Sequence, residues 1–479
     1  GVLKEKVLSR FVWQLLQRVL TQLVSFCVSV VLARMLAPED FGVVALAGML
    51  IILIGSFIDT GIGTALIQKK DADDLDYNTV FYTNIVLASV VYVVIFLIAP
   101  LLGTLFNSSQ IVPVIRVMSL GMPIGALSGV HSSKISKDLA FKKFFFSTLS
   151  GSLLSAVVGL SMVLLGCGVW ALVGQNLVST IANTIVLLLI VRWRPKRMFS
   201  KERFKSLFSY GWKLTASNLM GTFFSQMKGY AIGLKYTTAD LAYYNRGEGV
   251  PGILYNNISS SINTVLFPAL SKLQDDKIAI RRALSKTMQT ASFVLMPGLL
   301  GLAAVSDNFV QIVYTSKWIA VVPFMQVICL MNCFDLLGAA NIQALKAVGR
   351  ADTLLKLEVY KKPLMVTILV ICMFISPLAI AIGQFFYSLI ALAINAYPNR
   401  KYIDYSLKDQ FLDISKSFFS AVLMAFIVYF IGKLPFNIYL LLIFQILVGV
   451  AVYVLLSMKF NKVVFQEVLA LVKHRVLKK

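Results

Sequence analysis

The chain has 479 residues, 58% of them hydrophobic and only 14% charged, and its mean hydropathy is +0.80. That balance excludes a soluble globular protein and leaves no room for a sizeable soluble catalytic domain. A formal charge of +23 would point a soluble protein toward nucleic acid; in a membrane protein it follows from Lys and Arg gathering in cytoplasmic loops, so nucleic acid is not an expected partner.

A bilayer-spanning helix needs roughly 20 mostly apolar residues. Fourteen such stretches are predicted, at 11–35, 42–66, 80–105, 111–130, 145–166, 169–192, 208–234, 249–270, 287–306, 318–341, 358–375, 377–397, 416–432 and 436–458. The eleventh and twelfth form one apolar run from Val359 to Tyr397, broken only by Ser376-Pro377, so a count of twelve or thirteen stays open. With both termini cytoplasmic, 36 of the 45 Lys and Arg residues fall on the cytoplasmic side, whereas Arg34, Lys235, Arg246, Lys317 and Lys433 fall outside. Trp13, Trp170, Trp193, Trp212 and Trp318 lie at predicted span ends, where interfacial anchors belong. The five Cys suggest neither a disulfide framework nor a zinc site. No cleavable signal peptide is visible, because the first apolar run contains Gln14, Arg18 and Gln22 and is too long.

The expected architecture is all-α and polytopic: about 14 transmembrane helices in two pseudo-symmetric six-helix lobes, plus two C-terminal helices. An N-terminal lobe covers 1–194, a basic cytoplasmic linker 195–206, a second lobe 207–400, and the last two spans with a cytoplasmic tail 401–479. Both lobes begin at the cytoplasmic face, so a repeat between them is parallel. Leu32-Ala33-Arg34 before Pro38-Glu39-Asp40 is echoed by Gly233-Leu234-Lys235 before Ala239-Asp240, about 200 residues later. The tail mixes Val463, Phe465 and Leu469 with Lys473 and Arg475. It reads either as an amphipathic helix on the anionic leaflet or as a tail that simply follows the charge rule.

Ionisable side chains at mid-bilayer cost roughly 2.5–3.5 kcal/mol each, so those present are expected to face protein or water. In the first span Gln14, Arg18, Thr21, Gln22, Ser25 and Ser29 share one helical stripe. In the seventh, Lys213, Ser217, Gly221, Ser225 and Lys228 share a face, with the lysines about 22 Å apart along the axis. The second span carries Gly55, Ser56, Asp59, Thr60 and Gly63 as a small polar face. Such stripes either glue helices together or line a water-filled cationic cavity suited to a phosphate-bearing cargo. Arg18 and Lys228 favour the cavity. Lys213 and Arg116 are further candidate cavity cations, although each lies near a span end where snorkelling is the simpler reading. Asp59 and Asp335, the acids well inside spans, are candidates for ion coupling. An Asp59–Arg18 pair is geometrically possible, as a structural ion pair or as a proton- or sodium-linked switch. Pro100, Pro123, Pro268 and Pro297 lie within spans and suit kinked helices.

Enzyme signatures are poor. The acidic run at 71–76 (DADDLD) has a metal-site flavour, but with no domain to hold a donor it reads as a solvated loop. With His131 and His474 as the only histidines, a nucleophilic triad is not expected. No P-loop occurs.

Several stretches carry a resemblance: LARMLAPEDFGVVALA (32–47), DTGIGTALIQKKD (59–71), YYNRGEGVP (243–251), SINTVLFPALSKL (261–273) and LKAVGRAD (345–352). In order and position they resemble polysaccharide-type flippases, the polysaccharide transporter branch of the multidrug/oligosaccharidyl-lipid/polysaccharide exporter superfamily, with a colanic-acid or exopolysaccharide-exporter flavour. The resemblance implies a multi-pass bacterial inner-membrane transporter rather than an enzyme. Its cargo would be an undecaprenyl-pyrophosphate-linked oligosaccharide, moved by alternating access. It implies no cofactor beyond a proton or sodium gradient. Its expected partners are membrane lipids and the polysaccharide polymerase and glycosyltransferases of the pathway. The alternatives are a membrane polymerase or ligase of lipid-linked glycans, disfavoured by short outward loops, and a multidrug antiporter, disfavoured by the excess of cavity cations.

Overall fold

A computed structural model describes residues 20–58, 62–69, 71–137, 141–273 and 276–476. Among the described residues the regular elements are all helical. They are α1 (Leu20–Met35), α2 (Pro38–Gly55), α3 (Ile62–Gln68), α4 (Asp74–Leu105), α5 (Ile111–Met118), α6 (Gly121–Lys137), α7 (Phe141–Leu164), α8 (Val169–Ile190) and α9 (Lys201–Lys235). There follow α10 (Thr238–Ser271), α11 (Lys277–Val313), α12 (Val321–Ala347), α13 (Ala351–Cys372), α14 (Pro377–Ile403), α15 (Leu407–Ile431), α16 (Ile438–Phe460) and α17 (Lys462–Val476). Among the described residues, ten helical stretches are long and apolar enough to cross a membrane. The long α9, α10 and α13 stand where the seventh, eighth and eleventh spans are expected and carry more polar residues.

The run from 359 to 397 is two helices. α13 ends at Cys372, and the Ser376 hydroxyl caps α14 by accepting the Ala379 amide at 3.0 Å. Pro377 occupies the first turn, where its missing N–H costs nothing and its fixed φ suits a helix start.

The chain forms two compact units, Gly1–Ala242 and Tyr243–Lys479, so α9 belongs to the first. Lipid tails are as apolar as leucine, so burial alone does not hold such helices together; close packing and polar cross-links do. In the first unit one cluster joins Ile62 and Leu66 of α3, Tyr77 and Phe81 of α4, Val130 of α6, Leu187 of α8 and Trp193. A second joins Val28 and Leu32 of α1 to Ala156 of α7 and Leu172 of α8. In the second unit, buried amides bind helices directly. Asn341 donates to Gln410 at 2.8 Å, Asn399 donates to Asn341 at 2.6 Å, and Asn308 donates to Gln445 at 2.9 Å. α17 docks on α11, with Val464 buried and a Lys286–Glu467 ion pair at 2.9 Å.

Two tryptophans are not interfacial anchors. Trp193 is buried edge-on against Phe81 and His131, at 5.7 and 5.3 Å. Trp318 is buried beside Tyr243 and Tyr314. Both lie next to helix ends, but they turn inward because aromatic partners wait there. Trp170 and Trp212 remain exposed.

Candidate functional site

α1 and α2 are joined by the two-residue turn Leu36-Ala37, and α9 and α10 by Tyr236-Thr237, at an offset of 200. Their caps differ. Pro38 opens α2 without a side-chain cap, whereas Thr237 and Asp240 cap α10 reciprocally, at 3.1 Å in each direction of backbone donation.

The two turns lie side by side, because α2 and α9 pack closely at that end. A Cβ added at Gly42 would fall 1.7 Å from the Thr238 carbonyl oxygen, so only glycine permits the approach. One turn on, Gly233 lies against Leu46, and then Gly229 lies against Met49. The Tyr230 hydroxyl donates to the Met49 carbonyl at 2.9 Å. Glycines on α9 thus receive the large side chains of α2 and close this end.

Beyond Met49 the two helices leave a cleft of about 640 Å³. It is lined by Ile52, Gly55 and Ser56 on one side and by Ser217, Gly221 and Ser225 among the α9 residues on the other. Ser217 and Ser225 are exposed, and the Ser225 hydroxyl donates to its own helix at the Thr222 carbonyl, 2.8 Å away. Lys228 stands one turn beyond Ser225 toward the closed end; it is half-buried and engaged by a partner. The structure therefore brings the small face of the second span and the polar face of the seventh to one site. Lys213 falls within α9, four residues before Ser217. Gln22 is half-buried on α1. Gln14, Arg18 and Asp59 lie outside the described residues.

Two candidates sit elsewhere. Arg116 on α5 donates through Nε to the Phe96 carbonyl at 3.1 Å and stacks over the Phe96 ring at 4.2 Å. Pro100 lacks the N–H that would satisfy Phe96, four residues back in α4, and Arg116 supplies the missing donor. Asp335 on α12 is half-buried, accepts the Ser388 hydroxyl from α14, and belongs to the second unit.

The acidic run at 71–76 is a charge latch rather than a solvated loop. Asp73 and Asp76 form a reciprocal capping box on α4. Asp76 is fully buried, with Lys69 at 2.6 Å and Arg203 at 3.6 Å. Asp73 reaches Arg203 at 3.3 Å, and Asp74 reaches Lys196 at 2.6 Å. Its backbone hydrogen bond from Asp76, helped by Arg203, holds the Asp73 carboxyl below its usual range. The latch ties the start of α9 and the basic segment before it to α4. Sequence reading missed it because Lys196 and Arg203 lie 122 and 130 residues from the aspartates Asp74 and Asp73 that they meet. Among the described residues no group of acids, His or Cys could hold a metal ion.

Residues 31–323 match the family model described as polysaccharide biosynthesis protein. The lipopolysaccharide biosynthesis protein WzxC of Escherichia coli K12 is 26% identical over 375 residues, covering 77% of this chain and 75% of that protein. The succinoglycan biosynthesis transport protein ExoT of Rhizobium meliloti is 25% identical, covering 71% and 69%. Among solved structures, the lipid II flippase MurJ in an inward closed conformation superposes with a TM-score of 0.74 at 15% identity, over 95% of this chain and all of that one. An inward-facing multidrug-resistance transporter gives 0.62 at 15% identity, over 80% and 94%. At such identities the solved structures speak for the fold, an all-helical transporter fold. The family match extends over more than half of the sequence, and the chain belongs to the polysaccharide biosynthesis protein family.

Proposed function

We propose that the protein is a flippase that moves an undecaprenyl-pyrophosphate-linked oligosaccharide repeat unit from the cytoplasmic to the periplasmic leaflet of a bacterial inner membrane. The observation that carries this reading is the α2–α9 pair, sealed at its turn end and parted into a small, polar-walled cleft beyond it. Alternating access needs such a pair: a seal that can part, and a lining without bulky side chains to obstruct a sugar head. The relatives named for polysaccharide biosynthesis and transport support the reading.

The charge bias of the loops places the turn end outside, so the cleft opens toward the cytoplasm. The pyrophosphate and sugars enter there while the polyprenyl tail stays in lipid. Lys228, at the cleft's inner end, together with Arg18 of the first span, offsets the cost of carrying roughly two negative charges through low dielectric. A proton or sodium gradient is the proposed driving force, with Asp335 of α12 as its proposed coupling carboxylate.

The test is leaflet-selective labelling of lipid-linked repeat units after deletion of the gene. Accumulation in the cytoplasmic leaflet is the expected result. Accumulation in the periplasmic leaflet would put the block after flipping and replace this reading by a polymerase or ligase.

A further inference from the structure

A second cleft, of about 590 Å³, opens at the end of the first unit formed by the start of α4 and α7 and the ends of α6 and α8. Five cations line it, Lys134, Lys143, Arg192, Arg194 and Lys196, against one carboxylate, Asp74. That carboxylate is already engaged by Lys196 at 2.6 Å. Among the described residues Lys143 and Arg192 have no acidic partner. Uncompensated cations converging on a concave site create a strong positive potential.

The wall is built rather than loose. The segment between α8 and α9 is not helical, yet side chains fix it. The Lys196 amide donates to Asn78 at 2.5 Å, and the Ser200 amide donates to Thr79 at 3.2 Å. Arg194 donates to the carbonyls of Leu188, Val191 and Trp193 at 2.8–3.0 Å, which satisfies the end of α8 and fixes the guanidinium at the rim. Trp193 is held in turn by His131 at 3.2 Å.

The surroundings indicate what kind of anion fits. Ile135, Ile190 and Val191 form the apolar part of the lining. Along the same helices, Phe146 lies one turn after Lys143 and is 45% exposed, and Leu189, next to Ile190, is 71% exposed. A soluble anion has no use for such a surface, whereas a lipid has a head for the cations and chains for the apolar face of α7 and α8. We propose that this cleft binds the phosphate head group of an anionic phospholipid of the cytoplasmic leaflet, independently of what the protein transports. An occupant there would bridge the ends of α6, α7 and α8 to the segment that leads into α9.

The test uses the purified full-length protein in phosphatidylcholine nanodiscs, titrated with phosphatidylglycerol or cardiolipin and read by native mass spectrometry and thermal unfolding. Wild type should bind the anionic lipids and gain thermal stability, and added phosphatidylcholine should do neither. The double variant Lys143→Gln/Arg192→Gln removes two cations that have no acidic partner and should fold normally. It should bind about 25-fold more weakly, about fivefold per cation. Lys277→Gln/Arg282→Gln, which removes two cations in the second unit, should bind as wild type does. Equal loss in both double variants would reduce the effect to general charge and overturn the site. Displacement of the lipid by inorganic pyrophosphate at matched ionic strength would assign the cleft to a soluble anion and overturn the lipid assignment.

Discussion

The seal between α2 and α9 makes a graded prediction, because three glycines meet neighbours of different stiffness. At Gly42 an added Cβ lies 1.7 Å from the Thr238 oxygen and 2.3 Å from its carbon, both backbone atoms. Ordinary contact begins at 3.4 Å, so the turn end must part by the difference, about 1.7 Å. Overpacking of this kind costs ~1–3 kcal/mol, which lowers the bias toward a closed turn end by roughly 5- to 150-fold. At Gly233 the nearest atom is the Leu46 Cδ1 at 2.9 Å, and at Gly229 it is the Met49 sulfur at 2.4 Å, the end of a pliable side chain. The expected order of effect is therefore Gly42→Ala, then Gly233→Ala, then Gly229→Ala. The assay is the rate at which a membrane-impermeant maleimide, added from the side that carries the turn end, labels Ser217→Cys in a variant lacking the five native cysteines. Gly42→Ala should raise that rate most at unchanged protein abundance. A rate for Gly229→Ala equal to or above that of Gly42→Ala would refute a backbone-limited seal.

The remaining expectations concern the latch, the kink and the cleft. Arg116→Met orphans the Phe96 carbonyl and should cost ~1–3 kcal/mol in unfolding, less in a Pro100→Ala background where the helix supplies its own donor; a double-mutant cycle in thermal unfolding measures the coupling. Lys69→Met should lower the unfolding midpoint more than Lys196→Met, because it strips the near partner from the buried Asp76, whereas Asp74 is half exposed. The Asp73 carboxyl is depressed in the folded protein, so its cap is fully present above the unfolded value and is lost as pH falls through the folded value below 3.8; hydrogen exchange at the Asp76 amide should accelerate over that range. Gly221→Trp meets nothing within 4 Å of its Cβ, so it should leave abundance unchanged while filling the cleft and lowering transport of the lipid-linked repeat unit.

Much of the fold was legible because its signals are local. Apolar length, loop charge and the Ser376-Pro377 break each act within one helix or one turn, and Ser376 caps its helix as such a pair should. The polar face of α9 was legible for the same reason: Ser217, Gly221 and Ser225 follow a 3.6-residue period and need no partner to be seen. What periodicity does not encode is which face meets which. Arg116 carries the same charge whether it lines a cavity or serves a carbonyl freed by Pro100, and the deciding atom lies 20 residues away. Trp193 shows the same limit, since position marks a helix end and only packing shows that the indole turns toward Phe81 and His131.

The acidic run shows why composition alone misleads at a membrane surface. Four aspartates beside two lysines read as solvent-exposed, yet the buried Asp76 is tolerable only because Lys69, Arg203 and the Asp73 amide converge on it. One partner is a sequence neighbour and another arrives on α9, so the latch exists only when the start of α4 and the start of α9 have come together. The turn-end seal has a like requirement, since Gly42 and Thr238 meet only when α2 and α9 pack together at that end. A motion that parts α2 from α9 at the turn end must therefore either leave the Asp73–Arg203 contact as a pivot or break it. The double variant Gly42→Ala/Arg203→Gln distinguishes the two, because labelling that exceeds the product of the single-variant effects means that seal and latch are coupled, and simple multiplication means that the latch is the pivot.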